Sequence, residues 1–172
     1  MISFKEYLLE EKKLIAYHYT HSTHFEHFEK NCHFGRIRAA FHMFFNEKEK
    51  KGLPRIYKVE ILNPNFFRLT YEEEEDTATL YRACNVEGKY PELWKAWKHN
   101  DYKNYMNEYQ AMQSLGYNGV VYHNTYDDKG YDSYIVFDPK DIKILEIIQG
   151  TKLKRLLSDY YGEDIKLWRK VK

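Results

Sequence analysis

The stretch over residues 116–145 limits the possible folds of this chain more than any other stretch does. It contains two short runs of β-branched and aromatic residues, 120–122 and 133–137, and strands favour these residue types. A polar segment with a glycine separates the two runs and is typical of a loop. An Asp-Pro pair closes the second run, because proline cannot donate a hydrogen bond to a ladder. A further apolar run, 142–148, follows, so the stretch predicts three strands joined by tight connections.

The composition indicates one folded domain. Of the 172 residues, 43% are hydrophobic and 31% are charged. No apolar run reaches the roughly 18 residues that a membrane span needs, and the N-terminus lacks the apolar core of a signal peptide. The net charge of +1 argues against a protein built mainly to coat nucleic acid. Cys32 and Cys84 cannot form a disulfide framework, so we expect a cytoplasmic protein without a membrane partner.

The periodicity of the remaining chain predicts a mixture of helices and strands. Apolar residues at helical spacing predict helices over residues 3–12, 24–30, 90–99 and 102–115. The capping residues Asn46 and Asp76 predict two more, over 47–51 and 77–84. Other apolar runs predict strands over residues 14–18, 54–62 and 66–69, and residues 34–45 are expected to pass from a loop into a strand. The acidic run 72–76 is expected on a solvated face or at a helix start, because like charges repel.

The C-terminal segment is amphipathic and basic. Residues 151–172 carry seven Lys or Arg and three Asp or Glu, a net charge of +4. Leu153, Leu156 and Leu157 recur at helical spacing. We therefore expect a terminal helix that packs on the core with a charged face in solvent, and contact with a nucleic acid or an acidic partner is the alternative.

Three segments occur in an order that is typical of one fold family. Residues 116–121 are Gly-Tyr-Asn-Gly-Val-Val, residues 133–143 are Ser-Tyr-Ile-Val-Phe-Asp-Pro-Lys-Asp-Ile-Lys, and residues 63–64, Asn-Pro, end an earlier strand. These segments resemble the ADP-ribosyltransferase fold, most closely its small branch in phage and mobile-element proteins. The resemblance covers about residues 14–148.

Residues 16–20, Ala-Tyr-His-Tyr-Thr, resemble the first motif of this family, Tyr-His-Gly-Thr. The resemblance implies that His18 bonds the ribose hydroxyls of NAD and that the backbone of Tyr19 holds the nicotinamide amide. The resemblance also places Thr20 in the NAD-binding set. The family usually has glycine at the position of Tyr19, so this chain departs from the motif there.

Residues 42–47, His-Met-Phe-Phe-Asn-Glu, resemble the second motif of the family. The resemblance implies that Phe44 stacks on the nicotinamide ring. Arg36 and Arg38 lie just upstream and are candidates for contact with the NAD pyrophosphate, because guanidinium groups match phosphate oxygens. Solvated loop arginines are the alternative.

Ser133 stands where the active polymerases of this fold carry a glutamate. Serine can donate or accept a hydrogen bond but bears no charge. Ser133 and its neighbour Asp132 are the candidate catalytic residues. Other carboxylates that could substitute for the glutamate are Glu108, Asp127 and Asp128.

The resemblance implies an α+β fold with a split antiparallel β core and flanking helices. A single domain would span residues 1–172, with an N-terminal helix over 1–13, the core over 14–148 and a basic helical tail over 149–172. NAD would be the cofactor and substrate, bound between the two half-sheets. The chain would then be an NAD-dependent mono-ADP-ribosyltransferase that modifies a macromolecular acceptor, a protein or a nucleic acid.

Two other functions are open on the sequence. One is a non-catalytic module that binds NAD, an ADP-ribose-like ligand or a protein. The other is a metal- or nucleic-acid-binding domain, which a cluster of metal-ligand residue types suggests: His18, His21, His24, His27, Cys32 and His33. Histidines that recur at every third residue lie at successively different positions around a helix. Their rings therefore cannot meet at one metal ion, and no metal is expected.

Overall fold

The computed structural model describes residues 13–21, 27–46, 53–99 and 107–162, and in these ranges the chain is an α+β structure. In chain order the strands are β1 (Leu14–Thr20), β2 (Cys32–Phe34), β3 (Arg55–Ile61), β4 (Phe66–Arg68), β5 (Gly119–Asn124), β6 (Tyr131–Val136) and β7 (Ile142–Gln149). The α-helices are α1 (Ile37–Asn46), α2 (Thr77–Asn85), α3 (Pro91–His99), α4 (Asn107–Ser114) and α5 (Gly150–Tyr161). Short 3-10 turns occupy Glu72–Glu75 and Pro139–Asp141.

The strands assemble into two sheets. One is fully antiparallel, in the order β1-β3-β7. The other has the order β2-β6-β5-β4 and is antiparallel except for the β4–β5 pair, which is parallel. β5 and β6 form the adjacent pair that the sequence predicts, whereas β7 leaves them and pairs with β3 in the other sheet. The single predicted stretch therefore contributes strands to both sheets.

The two sheets meet at Tyr17 of β1 and Gly35, the residue after β2. The Tyr17 N–H donates to the Gly35 carbonyl (2.8 Å), and the Gly35 N–H donates to the Tyr17 carbonyl (3.1 Å). Beyond this pair the two segments diverge, because β1 continues as a strand while the chain after Gly35 turns into α1. The divergence opens a gap between the sheets.

Apolar clusters fix the sheets and helices in place. A cluster where the two sheets meet consists of Ala16, Phe28, Phe34, Tyr57, Val59, Ile61 and Val136. α1 and α5 cover the three-stranded sheet through Phe41, Phe44, Ile56, Ile148, Leu153 and Leu157. α2, α3 and α4 cover the four-stranded sheet through Leu80, Leu93, Trp97, Met112, Val120, Ile135 and Phe137.

Most of the predicted elements are confirmed. The helices expected over 77–84 and 90–99 are α2 and α3, and the terminal helix is α5, with Leu153 and Leu157 buried as expected. The helix predicted over 102–115 is described from Asn107 on. The helices predicted over 3–12 and 47–51 lie outside the described residues. So do residues 24–26 of the helix predicted over 24–30, and its described residues, 27–30, are not helical. None of the helices in the described ranges is long and apolar enough to cross a membrane.

The prediction of a loop and strand over residues 34–45 is wrong, because most of this segment is helix α1. Its apolar residues recur at helical spacing: Ile37, Ala40, Phe41, Phe44 and Phe45. Aromatic and β-branched residues favour strands locally. Burial of this stripe against α5 and the three-stranded sheet outweighs that preference.

Candidate functional site

A cavity of about 220 Å³ lies in the gap where the two sheets diverge. Its lining residues are Tyr17, His18, Tyr19, His33, Phe34, Gly35, Ala39, Ala40, Met43, Glu72, Glu75, Tyr122, Asn124, Asp127 and Ser133. Sites that enclose a drug-sized ligand occupy roughly 300–1,000 Å³. The cavity therefore suits one aromatic ring with its sugar rather than a whole dinucleotide.

His18 forms part of the wall, and its ring has a fixed orientation. Its Nδ1 donates to the carbonyl oxygen of His33 (2.8 Å), and its ring meets Phe28 edge-on at 5.4 Å. Because a carbonyl oxygen can only accept, Nδ1 carries the proton and Nε2 is the acceptor nitrogen of a neutral ring. Burial lowers the pKa of His18, which keeps the neutral form at neutral pH.

The backbone of Tyr19 points towards the same gap. In an antiparallel strand the N–H and C=O groups of alternate residues point to opposite sides. Tyr17 directs both groups to Gly35, so Tyr19, two residues later on β1, directs its own groups to that side. Its phenol is hydrogen bonded to the ring of His21 (2.7 Å to Nε2). A main-chain donor and a main-chain acceptor therefore lie beside His18.

Ser133 lies on the other side of the cavity and is almost fully buried. It pairs with Tyr122 of β5, so the two side chains share one face of the four-stranded sheet. The Asn124 side-chain amide donates to the Ser133 Oγ (3.0 Å). A methyl group on Gly35 would lie 3.3 Å from this oxygen and 2.9 Å from the Cβ of Ala39. Only glycine at position 35 therefore lets α1 approach Ser133 this closely.

Glu75 brings into the cavity a carboxylate that the sequence analysis missed. It lines the cavity together with Tyr122. Its buried Oε2 has no hydrogen-bond partner among the described residues and lies 3.8 Å from the His33 Nδ1. Burial raises the pKa of Glu75 to about 7, and the carboxylates of Glu72 and Asp127 add to the rise. Both protonation states are therefore populated at neutral pH, which suits a general acid or base.

The acidic run 72–76 lies at a helix start, one of its two expected places, because the Asp76 side chain accepts from the Thr79 N–H (3.2 Å) and caps α2. It is not a fully solvated face. Glu72 accepts from the Thr125 N–H (3.0 Å). Glu74 is 4% exposed and accepts from the Tyr90 phenol (2.5 Å). A 3-10 turn has three residues per turn. The side chains of four consecutive glutamates on such a turn therefore spread around its whole axis. A run of this length in the sequence indicates that at least one glutamate faces the interior.

The cavity is acidic and rich in aromatic rings. Glu72, Glu75 and Asp127 line it, and none of the described residues that line it is Lys or Arg. Burial lowers the pKa of both lining histidines, His18 and His33, so neither adds positive charge at neutral pH. Such a space fits a positively charged aromatic ring, and it stabilises positive charge that develops on a bound group.

Asp132, predicted beside Ser133 in one catalytic site, lies on the opposite face of β6. Adjacent strand residues point to opposite faces. The Asp132 carboxylate forms two hydrogen bonds with Arg68, at 2.7 and 2.8 Å. The hydrogen bonds from Arg68 lower the pKa of Asp132. The structure therefore separates Asp132 from Ser133, because the strand alternates and because Arg68 holds its carboxylate.

Phe44 does not present its ring to the cavity. It is 1% exposed and packs in the core beneath α1, where its ring meets Tyr19 edge-on at 5.9 Å. Met43, on the neighbouring face of the same helix, lines the cavity instead. In this structure its ring reaches the cavity lining through Tyr19, and the stacking of Phe44 on nicotinamide stays a prediction.

The remaining predicted residues lie near the cavity but do not line it. Arg36, just before α1, has its guanidinium 3.5 Å from the ring centre of Tyr131 and 3.8 Å from the buried carboxylate of Asp128. Arg38 is exposed in the first turn of α1. Thr20 ends β1. Contact of these three residues with NAD stays a prediction.

The histidine cluster does not form a metal site among the residues that the structure describes. In those ranges no group of three or more His, Cys, Asp or Glu side chains could hold a metal ion. His21 is hydrogen bonded to Tyr19, and the Cys32 sulfur lies 3.6 Å from the His18 Nδ1. His24 lies outside the described residues.

Comparisons with known proteins leave the family open. No protein-family model matches the chain, and no curated protein matches it significantly. Among solved structures, that of the M. tuberculosis MbcT–MbcA toxin–antitoxin complex is similar at 12% identity, with a TM-score of 0.47, over 84% of this chain and 88% of that chain. A TM-score at this level does not establish that two chains share a fold.

Proposed function

We propose that this chain binds NAD⁺ with the nicotinamide and its ribose in the cavity and transfers single ADP-ribose units to a macromolecular acceptor. The observation that carries the proposal is the meeting of His18, Tyr19 and Ser133 around one acidic, aromatic cavity. The three residues come from opposite ends of the chain, and their resemblance to the ADP-ribosyltransferase motifs rests on the sequence alone.

The charge of the cavity matches the reaction. The nicotinamide ring of NAD⁺ is a positively charged aromatic ring, which tyrosine rings and carboxylates attract. Positive charge then develops on the ribose as its bond to nicotinamide breaks, as in other glycosidic cleavages. The carboxylates of Glu72, Glu75 and Asp127 would stabilise that charge without moving.

Each part of NAD⁺ has a matching group at the site. The acceptor nitrogen of His18, Nε2, suits a ribose hydroxyl, and the main-chain groups of Tyr19 suit the carboxamide. The pyrophosphate would lie outside the cavity near Arg36 and Arg38, at the positive N-terminal end of α1.

Glu75 supplies a carboxylate in the same cavity, but not at the position of Ser133. Its partly ionised state near neutral pH fits a base that takes a proton from the acceptor. Ser133 would touch the attacking group through its hydroxyl. Chain growth needs a carboxylate next to the bound ribose hydroxyl, and serine stands at that position, so single-unit transfer is the expected product.

The binding proposal is tested with a matched pair of ligands. NAD⁺ and NADH differ in the charge of the nicotinamide ring, so calorimetry should give about tenfold tighter binding of NAD⁺, which corresponds to about 1.4 kcal/mol. Asp127→Asn should reduce that preference, and Glu92→Gln, an exposed carboxylate on α3, should leave it unchanged. Equal affinity for both ligands would contradict the charge argument.

The catalytic proposal is tested by nicotinamide release and by the mass of the labelled acceptor. Wild-type protein incubated with NAD⁺ and a cell extract should release nicotinamide and add one ADP-ribose unit per site. Glu75→Gln should lower release by about 100-fold, within the range of general-base effects. Binding of NAD⁺ with no release in the wild type would favour the second candidate, a non-catalytic module that binds NAD⁺.

A further inference from the structure

β7 is an edge strand of the three-stranded sheet, and it carries exposed apolar residues. Among the residues that the structure describes, β7 pairs with β3 on one side and with no strand on the other. Ile144, Leu145 and Ile147 are 42%, 43% and 46% exposed. An edge strand with unpaired main-chain groups and exposed apolar side chains is a template for a further strand. The side chains of β7 decide which strand it accepts.

The hydrogen bonding of β3 shows which main-chain groups of β7 point outwards. The Leu62 N–H donates to the Asp141 carbonyl (2.8 Å), so these two residues direct their main-chain groups towards each other at the start of the ladder. Successive strand residues direct their main-chain groups to alternate sides. The β7 residues that lie opposite the outward-directed residues of β3 therefore also direct their groups away from β3. These are Ile142, Ile144, Ile147 and Gln149.

A bulge in β7 places two opposite charges on one face of the sheet. The register of the β3–β7 pair shifts at Leu145, which is an extra residue of β7. In a regular strand, residues three apart point to opposite faces. Lys143 lies opposite Glu60 on β3, and Glu146 lies opposite a residue only two positions away, Lys58. The side chains of Lys143 and Glu146 therefore share one face.

Two copies of β7 match each other when they pair antiparallel around a twofold axis beside the bulged Leu145. Ile142 then lies opposite Ile147 of the second copy, and both direct main-chain groups outwards. Lys143 lies opposite Glu146 of the second copy on the other face, and the symmetry forms each pair twice. Pairing centred on either charged residue would place like charges opposite each other, which is unfavourable. The sequence of β7 is therefore complementary to itself in one register.

We infer that two copies of this chain form a dimer by antiparallel pairing of their β7 strands, which joins the two three-stranded sheets into one of six strands. The inference goes beyond the proposed function and does not depend on it. The Ile147 N–H donates to the Ile142 carbonyl of the second copy, twice in the dimer. The Ile142 N–H takes no part, because it donates to the Pro139 carbonyl of its own chain. Ile144 and Leu145 meet their counterparts near the axis and lose contact with water.

The charged pairs select the register and leave the dimer weak. In the single chain, the Lys143 Nζ lies 3.8 Å from the Glu60 carboxylate, and Glu146 forms an ion pair with Lys152. Ion pairs at the surface contribute little to affinity. Bulges and charges on edge strands commonly oppose pairing with other chains. Here the bulge aligns the charges of two copies, and because one strand pair buries less surface than a permanent dimer, the dimer forms at high protein concentration.

Sedimentation equilibrium tests the dimer and its register. The average mass of the wild type should rise with concentration from that of one chain towards that of two. Lys143→Glu and Glu146→Lys each place like charges opposite each other twice, so each variant alone should associate about tenfold more weakly. An equimolar mixture of the two variants should recover the wild-type affinity, because every new charge then lies opposite its opposite. Lys95→Glu, a charge reversal at an exposed position of α3, is the control and should change nothing.

Two further measurements test the strand pairing itself. Ile147→Pro removes an outward N–H and keeps the hydrogen bonds to β3, so it should abolish the dimer in a folded chain. Amide exchange at Ile147 in the wild type should be fast in dilute solution and slow at high concentration.

Three results would overturn the inference. The first is a wild type that stays a single chain at the highest concentration, which would leave a different protein as the occupant of the edge. The second is a dimer that neither charge variant weakens, which would lie on another surface. The third is slow exchange at Ile147 at every concentration, because a segment of the same chain would then cover β7. The charge variants decide the matter if Ile147→Pro does not fold.

Discussion

Nothing in the sequence around Glu75 indicates an unusual carboxyl group, but the fold raises its pKa. Its pKa rises from the reference value of 4.5 to about 7 because the carboxyl group is largely buried and Glu72 lies beside it. The folded chain therefore binds this proton more tightly than the unfolded chain does. It follows that the free energy of unfolding falls as pH rises through this interval and becomes constant above it.

Glu75→Gln should remove that dependence. We expect the variant to be more stable than wild type by about 3 kcal/mol at about pH 8, with little difference near pH 4, where both side chains are neutral. Urea unfolding across this pH range measures the difference, and Glu92→Gln is the control. A stability difference that does not change with pH would mean that Glu75 titrates normally.

A substitution at Phe44 distinguishes a role in the hydrophobic core from a role in stacking on the ligand. Phe44→Leu keeps an apolar side chain of similar reach, so we expect a loss of about 1–2 kcal/mol in unfolding free energy. Because the ring does not face the cavity, NAD⁺ affinity should change less than about twofold, or about 0.4 kcal/mol. A tenfold loss of NAD⁺ affinity in Phe44→Leu, together with the small loss of stability, would instead indicate that Phe44 stacks on the nicotinamide ring.

At the scale of elements, the start of α1 decides the shape of the site. Gly35→Ala would place a methyl group 2.9 Å from the Ala39 Cβ and 3.3 Å from the Ser133 Oγ. We expect it to cost about 1–3 kcal/mol of stability and to lower NAD⁺ turnover by displacing Ser133. The double variant Gly35→Ala, Ala39→Gly frees space on the helix side and should recover turnover, although glycine within a helix costs about 1 kcal/mol. Unchanged turnover in the single variant would mean that Ser133 tolerates displacement.

At the scale of the whole molecule, a ligand in the cavity would touch both sheets beyond their junction at Tyr17 and Gly35. NAD⁺ should therefore slow amide hydrogen exchange in β1 and in β6 together, because local opening of either sheet would release the ligand. Exchange in α3, which packs on the far cluster around Trp97, should change much less. Protection confined to one sheet would place the ligand outside the cavity.

The sequence by itself determined much of the local structure. Residue type and periodicity predict β3, β5, β6, β7, α2 and α3, because these elements bury regular apolar patterns. Motif resemblance also selected His18, Tyr19 and Ser133, which the fold brings to one cavity. These predictions succeed because each depends on a few neighbouring residues.

Only the tertiary structure decided the rest. The helix α1 forms because its apolar stripe is buried against α5, a partner more than a hundred residues away. Asp132 and Phe44 are next to cavity residues in sequence, but the alternation of β6 and the turn of α1 direct their side chains elsewhere. Glu75 enters the site because the turn that carries it packs against β5. Burial and neighbouring charge set its proton affinity, and both depend on atoms that meet only when the chain folds.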